Sequence, residues 1–260
     1  MTYLPNDLIW LVNQLIPSVK LTFEDYKYFI PRSKIFGNVD NFDNFDKVTK
    51  IELFSNLVIK PEGRTFSNLK EIVYNGYKIS LEGNCNKLFY GCNKFNLPIN
   101  RWDVSNVQSM DDIFAGCHKF NQPLDSWDIS NIQSLEGMFW DCHEFNQSLI
   151  NWNVSNVQNM NSMFRFCSEF NQPLDCWDVS NVQKMNDMFR FCSKFNQPLD
   201  RWNVGNVRSM DDMFRGCQSF DQPINRWDVS NVESMVSMFL GCQSFNQSLD
   251  NWPVDLVSID

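Results

Sequence analysis

From residue 86 onward the apolar positions of this chain fall into columns. Tryptophan stands at 102, 127, 152, 177, 202, 227 and 252, and cysteine at 92, 117, 142, 167, 192, 217 and 242, each at an interval of 25 with no insertion or deletion. Two phenylalanine columns keep the same phase, one from Phe95 to Phe245 and one from Phe89 to Phe239. Columns in register over seven units define a tandem array, residues 86–260. One unit reads Phe120-Asn121-Gln122-Pro123-Leu124, then Trp127-Asp128-Ile129-Ser130-Asn131-Ile132, then Leu135, Met138, Phe139 and Cys142. Leu124, Trp127 and Ile129 are spaced L-x-x-L-x-L, which predicts a short strand with Trp127 and Ile129 on one face and Asp128 on the other. From Ile132 the apolar steps become three, three, one and three, which predicts a helical turn or two. Ser109 with Asp112, and Ser209 with Asp212, fit capping boxes at the start of that segment.

Such a unit cannot bury its own Trp, Met, Phe and Cys, so the units must stack. The expected fold is an α/β repeat solenoid, a leucine-rich-repeat-like right-handed coil of short parallel strands and short helices. Strands about 4.8 Å apart and helices roughly 8–10 Å apart would bend it with the strands inside. Residues 46–85 read as irregular units of the same kind, through Val48, Ile51, Leu53, Asn56 and Val58 and then Leu69, Ile72 and Tyr74. Residues 1–45 read as a helical cap on the open edge. Pro5 opens an apolar helix through Leu8, Leu11, Val12 and Leu15, and Thr22 with Asp25 starts a second one that ends at Pro31. At the far edge Pro253 removes a backbone donor from the strand position.

The string Phe-Asn-Gln-Pro-Leu-x-x-Trp-Asp-Val-Ser-Asn-Val-x-x-Met-x-x-Met-Phe-x-x-Cys, nearly intact over 170–192, resembles the repeat of the bacterial surface protein family, a divergent leucine-rich repeat of mycoplasma-type lipoproteins, protists and large DNA viruses. That resemblance implies an interaction scaffold. Leu4-Pro5-Asn6-Asp7-Leu8-Ile9, with Val12 and Leu15, looks like the opening of an F-box, which implies docking on a Skp1-like adaptor as the substrate-recognition subunit of a ubiquitin ligase. An ordinary capping helix explains the same residues.

Composition trims the possibilities. At 43% hydrophobic and 15% aromatic the chain has enough apolar surface to fold. Thirty-one acidic against 22 basic residues give a net charge of −9, which offers nucleic acid no general attraction. No stretch approaches the ~20 apolar residues of a membrane span, and Met1 is not followed by a signal-peptide pattern, so cytoplasmic residence is expected, in the host cytoplasm if the source is viral. Nine cysteines, an odd number, fit a reducing compartment.

The side chains offer little catalytic chemistry. There is no C-x-x-C pair for zinc, and the cysteine column reads as small buried hydrophobes, with Cys176 the expected exposed thiol. His118 and His143, the only histidines, should lie side by side on adjacent units as solvated residues, two imidazoles without a third ligand. No serine is placed with them as a nucleophile, so no enzyme, cofactor or metal is expected. The asparagine columns from Asn96 and from Asn106 should satisfy turn backbone groups between units, and Asp103, Asp128, Asp178 and Asp228 should form a solvated acidic strip. Function should lie where an exposed column varies. The position after the second core Phe reads Ala115, Trp140, Arg165, Arg190, Arg215 and Leu240, and the next reads Gly116, Asp141, Phe166, Phe191, Gly216 and Gly241. Trp140, Arg165, Phe166, Arg190, Phe191 and Arg215 therefore form the candidate partner-binding patch, a mixture typical of binding hot spots. The competing reading folds the two phenylalanines back on the coil and pairs the arginines with local acids such as Glu169.

Overall fold

The computed structural model describes residues 17–23, 27–31 and 45–252. The Leu4–Ile16 segment of the F-box resemblance and the Pro253 edge lie outside these. The described residues begin with an antiparallel pair, β1 (Pro17–Phe23) and β2 (Lys27–Pro31), and β1 also runs antiparallel to β3 (Val48–Leu53). This corrects the helix expected from Thr22 to Pro31. Val19, Leu21 and Phe23 are apolar at every second position and Tyr28-Phe29-Ile30 is a run of aromatic and β-branched residues, and the chance to pair with β3 outweighs the Thr22–Asp25 capping signal. A helical cap, and the helices an F-box would dock with, are not present over these residues.

Parallel pairing then takes over. β3 pairs with β5 (Glu71–Val73), placing Ile51 opposite Ile72, while β4 (Leu57–Ile59) pairs with β6 (Ile79–Asn84) and β6 with β7 (Asp103–Ser109). Two sheets result, in the orders β2-β1-β3-β5 and β4-β6-β7. Beyond β7 the strand expected at residues 124–129 and their equivalents does not form, and the parallel pairing that remains is a single bridge further along each coil, inside the segment expected to be helical: Ser134 to Asn159, Lys184, Ser209 and Ser234 in succession. The alternation of faces survives without a strand: Trp127 and Ile129 are buried and Asp128 is exposed.

The expected short helices are also absent. Asp112, Ser162, Asp187, Asp212 and Ser237 take φ between 54° and 56°, Gly137 takes 58°, and each is followed four residues later by a second positive φ, as at Gly116, Asp141, Phe166 and Phe191. A left-handed residue every four positions cannot propagate an α-helix. The three-residue periodicity is instead a chain of i→i+3 turns, in which Met138, Trp140 and Cys142 donate to the carbonyls of Leu135, Gly137 and Phe139. The residues between them donate to the following coil: Leu135, Gly137, Phe139 and Asp141 reach the carbonyls of Asn159, Asn161, Met163 and Arg165. The next coil repeats this from Met160, Ser162, Phe164 and Phe166. Every N–H of this ladder faces the C-terminal neighbour and every accepting carbonyl faces back.

The columns of the sequence become stacked side chains. Phe114, Phe139, Phe164, Phe189 and Phe214 are fully buried, with ring centroids 5.6–5.8 Å apart from coil to coil, and the Phe120 column stacks at 6.0 Å through Phe220. Trp202 and Trp227 stack at 6.3 Å. The spacing is nearly equal around the coil, so the strand-to-helix mismatch that was to bend the array does not arise. The inner indoles also bond backward: Trp152, Trp177, Trp202 and Trp227 donate to the carbonyls of Leu124, Leu149, Leu174 and Leu199 at 2.9–3.1 Å. At the first full coil Trp102 donates instead to the hydroxyl of Tyr74, 2.8 Å away.

Polar columns close the outside of the coils. The side-chain oxygens of Asn96, Asn121, Asn146, Asn171 and Asn196 each accept the backbone N–H of the residue one repeat later at 3.0 Å, and the neighbouring Gln amide as well. In the second column Asn156, Asn181, Asn206 and Asn231 donate to the carbonyls of Ser130, Ser155, Ser180 and Gly205. Asn thus supplies an acceptor in one column and a donor in the other.

Candidate functional site

The cysteine column is more than small apolar filling. Cys117, Cys142, Cys167, Cys192, Cys217 and Cys242 each direct a thiol at the carbonyl of the core Phe one coil back, at 2.8–3.1 Å. A same-sized apolar residue would leave that direction of the carbonyl without a donor. Burial pushes the Cys85 and Cys242 thiols up to about 12 and raises those of Cys142, Cys192 and Cys217 well above the ordinary thiol value. Only Cys176 is exposed; Cys242 is half-buried and the other seven are buried. Because the thiolate is the reactive form and must be reached, a thiol-specific reagent on the folded protein should titrate one fast equivalent of nine, lost in Cys176→Ser. Several fast equivalents under native conditions would mean that the coils open.

The acidic strip is held by its own turns. Asp103, Asp128, Asp178 and Asp228 each accept the backbone N–H of the serine two residues on at 3.0–3.1 Å. Hydrogen bonds from that serine's side chain and then its backbone hold these carboxyls below the usual range. Their oxygens are engaged locally, which favours a solvated strip.

The six patch residues meet on one ridge. The rings of Phe166 and Phe191 stack at 4.9 Å and 13°. The Arg165 guanidinium lies 5.3 Å from the Phe166 ring and 5.7 Å from the Trp140 ring, and Arg190 lies 5.3 Å from Phe191. Acids thread between the arginines: Arg165 is 3.6 Å from Asp187, Arg190 is 2.8 Å from Asp187 and 3.5 Å from Asp212, and Arg215 is 3.0 Å from Asp212. The arginines do pair with local acids, but with Asp187 and Asp212; Glu169 pairs with Lys194. Buried Nε atoms of Arg165 and Arg190 lack an acceptor among the described residues. Phe191 keeps 36% of its surface exposed.

The backbone beneath the ridge is costly for these side chains. Phe166 and Phe191 sit at φ 63° and 60°, where the equivalent residues Gly91, Gly116, Gly216 and Gly241 are glycine. A bulky aromatic in the left-handed region costs on the order of 1–2 kcal/mol. Gly216 is also the floor for Phe191, since a Cβ there would come within 2.4 Å of the ring.

At the N-terminal end of the ridge the structure overturns one expectation. His118 and His143 do lie side by side, ring centroids 5.0 Å apart, but they have a third group between them. Asp141 places one carboxylate oxygen 2.9 Å from His118 Nε2 and the other 3.1 Å from His143 Nε2. Asp141 was legible only as a non-glycine at the glycine position of the column. Its left-handed φ of 63°, which swings the carboxylate toward the preceding coil, is not a property of the residue type.

Buried aromatic and sulfur columns, a coil-to-coil backbone ladder and one decorated ridge define a tandem-repeat protein. Its repeats are those of a named group: the chain belongs to the family described as Mycoplasma protein of unknown function, DUF285, whose model matches residues 63–177 and again 159–259. The first match begins within the irregular units before residue 86. No curated protein and no solved structure matches the chain. Among the described residues no helix is long and apolar enough to cross a membrane.

Proposed function

We propose that this protein is a non-enzymatic, cytoplasmic repeat scaffold, a leucine-rich-repeat-like solenoid that presents the ridge from Trp140 to Arg215 to a protein partner. One observation carries the reading: Phe166 and Phe191 occupy, at positive φ, a position that is glycine in four other coils, and they use it to hold stacked rings and arginines at the surface. Strain of that kind persists where the surroundings enforce it, and it collects at binding sites. The alternating chain Arg165–Asp187–Arg190–Asp212–Arg215 fixes the guanidiniums before any partner arrives, so little side-chain entropy remains to be lost on binding. Arginine and aromatic side chains in such a setting are the usual anchors of protein interfaces.

The same backbone supplies a clean test. Glycine is the residue these φ values favour, so Phe166→Gly/Phe191→Gly should fold with a melting temperature within a few degrees of the parent, the lost stacking being offset by relieved strain. In affinity capture from the native host, the proteins retained by the parent chain should be lost with this variant and with Arg190→Glu/Arg215→Glu. They should be kept when the acidic strip is altered instead by Asp128→Asn/Asp178→Asn. Equal capture by all four proteins would refute the ridge as the binding surface.

A further inference from the structure

We propose that His118, Asp141 and His143 form a binding site for a divalent d-block cation of the zinc type. The three residues come from two adjacent coils. His118 and His143 occupy equivalent positions immediately after Cys117 and Cys142, so the register that stacks the buried thiols also brings the two imidazoles together. Their ligand atoms and an Asp141 oxygen all lie within 4.8 Å of one another. Two ligand atoms held 2.0–2.1 Å from one tetrahedral ion sit about 3.3 Å apart. His118 Nε2 lies 2.9 Å from one Asp141 oxygen and His143 Nε2 3.1 Å from the other, so the carboxylate sits between the imidazoles and a small adjustment of the three side chains brings one oxygen and both nitrogens around one ion.

The second ring nitrogen of His143 strengthens the case. His143 Nδ1 is 3.1 Å from the carbonyl oxygen of Phe166, which can only accept, so Nδ1 carries the proton. A neutral imidazole has one N–H, so its Nε2 lone pair then faces a carboxylate oxygen 3.1 Å away. A second proton on Nε2 or a metal cation between the two atoms resolves that arrangement, and the metal can replace the proton at the same geometry. A backbone carbonyl fixing the tautomer of a histidine whose other nitrogen points at the metal is the usual outer shell of zinc ligation. The carbonyl belongs to Phe166, whose left-handed backbone was derived above, so the outer shell is as firmly placed as the ridge itself.

The donor set selects the ion class. Two imidazoles and one carboxylate suit zinc and its transition-metal neighbours, whereas calcium and magnesium prefer sites built from oxygen alone. Three protein ligands leave a fourth position free. The side chains retain 42%, 35% and 46% exposure, so that position opens to solvent, where water or a ligand from a partner can complete the sphere. The site stands independently of the partner-binding reading.

The test uses the full chain, washed with a chelator, with Zn2+ as the titrant in calorimetry and Co2+ as a spectroscopic probe. The Cys176→Ser background removes the one exposed thiol that could compete. The expected result is one Zn2+ per chain, with affinity reduced at least about tenfold in His118→Ala, in His143→Ala and in Asp141→Gly, and a Co2+ absorption spectrum free of thiolate charge transfer. Asp141→Gly keeps the backbone geometry that Gly116 and Gly216 adopt at the same position, so its folding is secure. No saturable Zn2+ binding by the parent chain, or unchanged affinity across the three variants, would overturn the proposal. So would a thiolate band, which would place the metal on cysteine.

Discussion

Trp177→Ala will destabilise the array by about 3–5 kcal/mol, the range for removing a fully buried large aromatic. At about 2–4 °C per kcal/mol for a chain of this size, the melting temperature should fall by about 6–20 °C. Trp177 is 3% exposed, packs 6.4 Å from the Phe164 ring, and donates to the Leu149 carbonyl at 3.1 Å. That carbonyl keeps a second donor, the N–H of Trp152, so the loss is dominated by the cavity between coils rather than by an orphaned acceptor. Position matters as much as residue type, because stability in a stack is a sum over neighbouring interfaces. Trp252 stacks on Trp227 and its indole nitrogen has no acceptor among the described residues. Trp252→Ala should therefore cost roughly half as much, about 1.5–2.5 kcal/mol. Urea unfolding followed by tryptophan fluorescence measures both. Equal losses at the two sites would refute stacking as the source of stability, and a loss below about 0.5 kcal/mol at Trp177 would remove the column from the account.

Gly137→Val should cost about 2–4 kcal/mol, and for two separable reasons. The residue has φ 58°, which a β-branched side chain tolerates poorly, and a Cβ built on it comes within 2.1 Å of an Asp112 carboxylate oxygen. Serine and aspartate occupy the same position in other coils at nearly the same φ, so the backbone does not by itself demand glycine; the carboxylate above it does. The double variant Asp112→Gly/Gly137→Val should recover the steric share, about 1 kcal/mol or more, and leave the backbone share. Gly137→Ser should fall between parent and valine. If Asp112→Gly restores nothing in chemical denaturation, the contact with Asp112 is not what reserves position 137 for glycine.

The columns were legible because a 25-residue period converts burial into arithmetic: one Trp per unit at constant phase has one degree of burial, and Trp102 through Trp252 share it. What fills the space between those columns was not legible. The steps from Ile132 to Cys142 suit one face of a helix and a run of three-residue turns equally well. The difference lies in the sign of φ at Gly137 and Asp141, and that sign is settled by the neighbouring coil, whose carbonyls claim the N–H groups a helix would keep. A single unit carries no trace of this. The same holds between Thr22 and Pro31, where the partner strand β3 decides against helix. At the site, the ridge could be read from the column Ala115, Trp140, Arg165, Arg190, Arg215 and Leu240 because those residues differ while their neighbours do not. The acids were misassigned, since Asp187 and Asp212 come from the turn rather than from the flanking loop. Asp141 was missed because only the left-handed backbone carries its carboxylate between two histidines.

The one-way ladder makes each coil a template for its successor. Met235, Ser237, Phe239 and Gly241 turn their N–H groups toward the C-terminal side, where they meet no acceptor among the described residues, just as Met160 to Phe166 would without the coil that follows them. Adding a unit covers one such face and creates another identical to it, so the free energy per unit is indifferent to how many precede it. Duplication or excision of a whole 25-residue block therefore leaves the backbone register of the remaining coils intact, whereas a one-residue insertion within a coil disturbs the two interfaces that coil makes. Evolution of such a molecule can alter its length freely in whole units, and its ridge can lengthen, shorten or be rewritten without disturbing what holds it together.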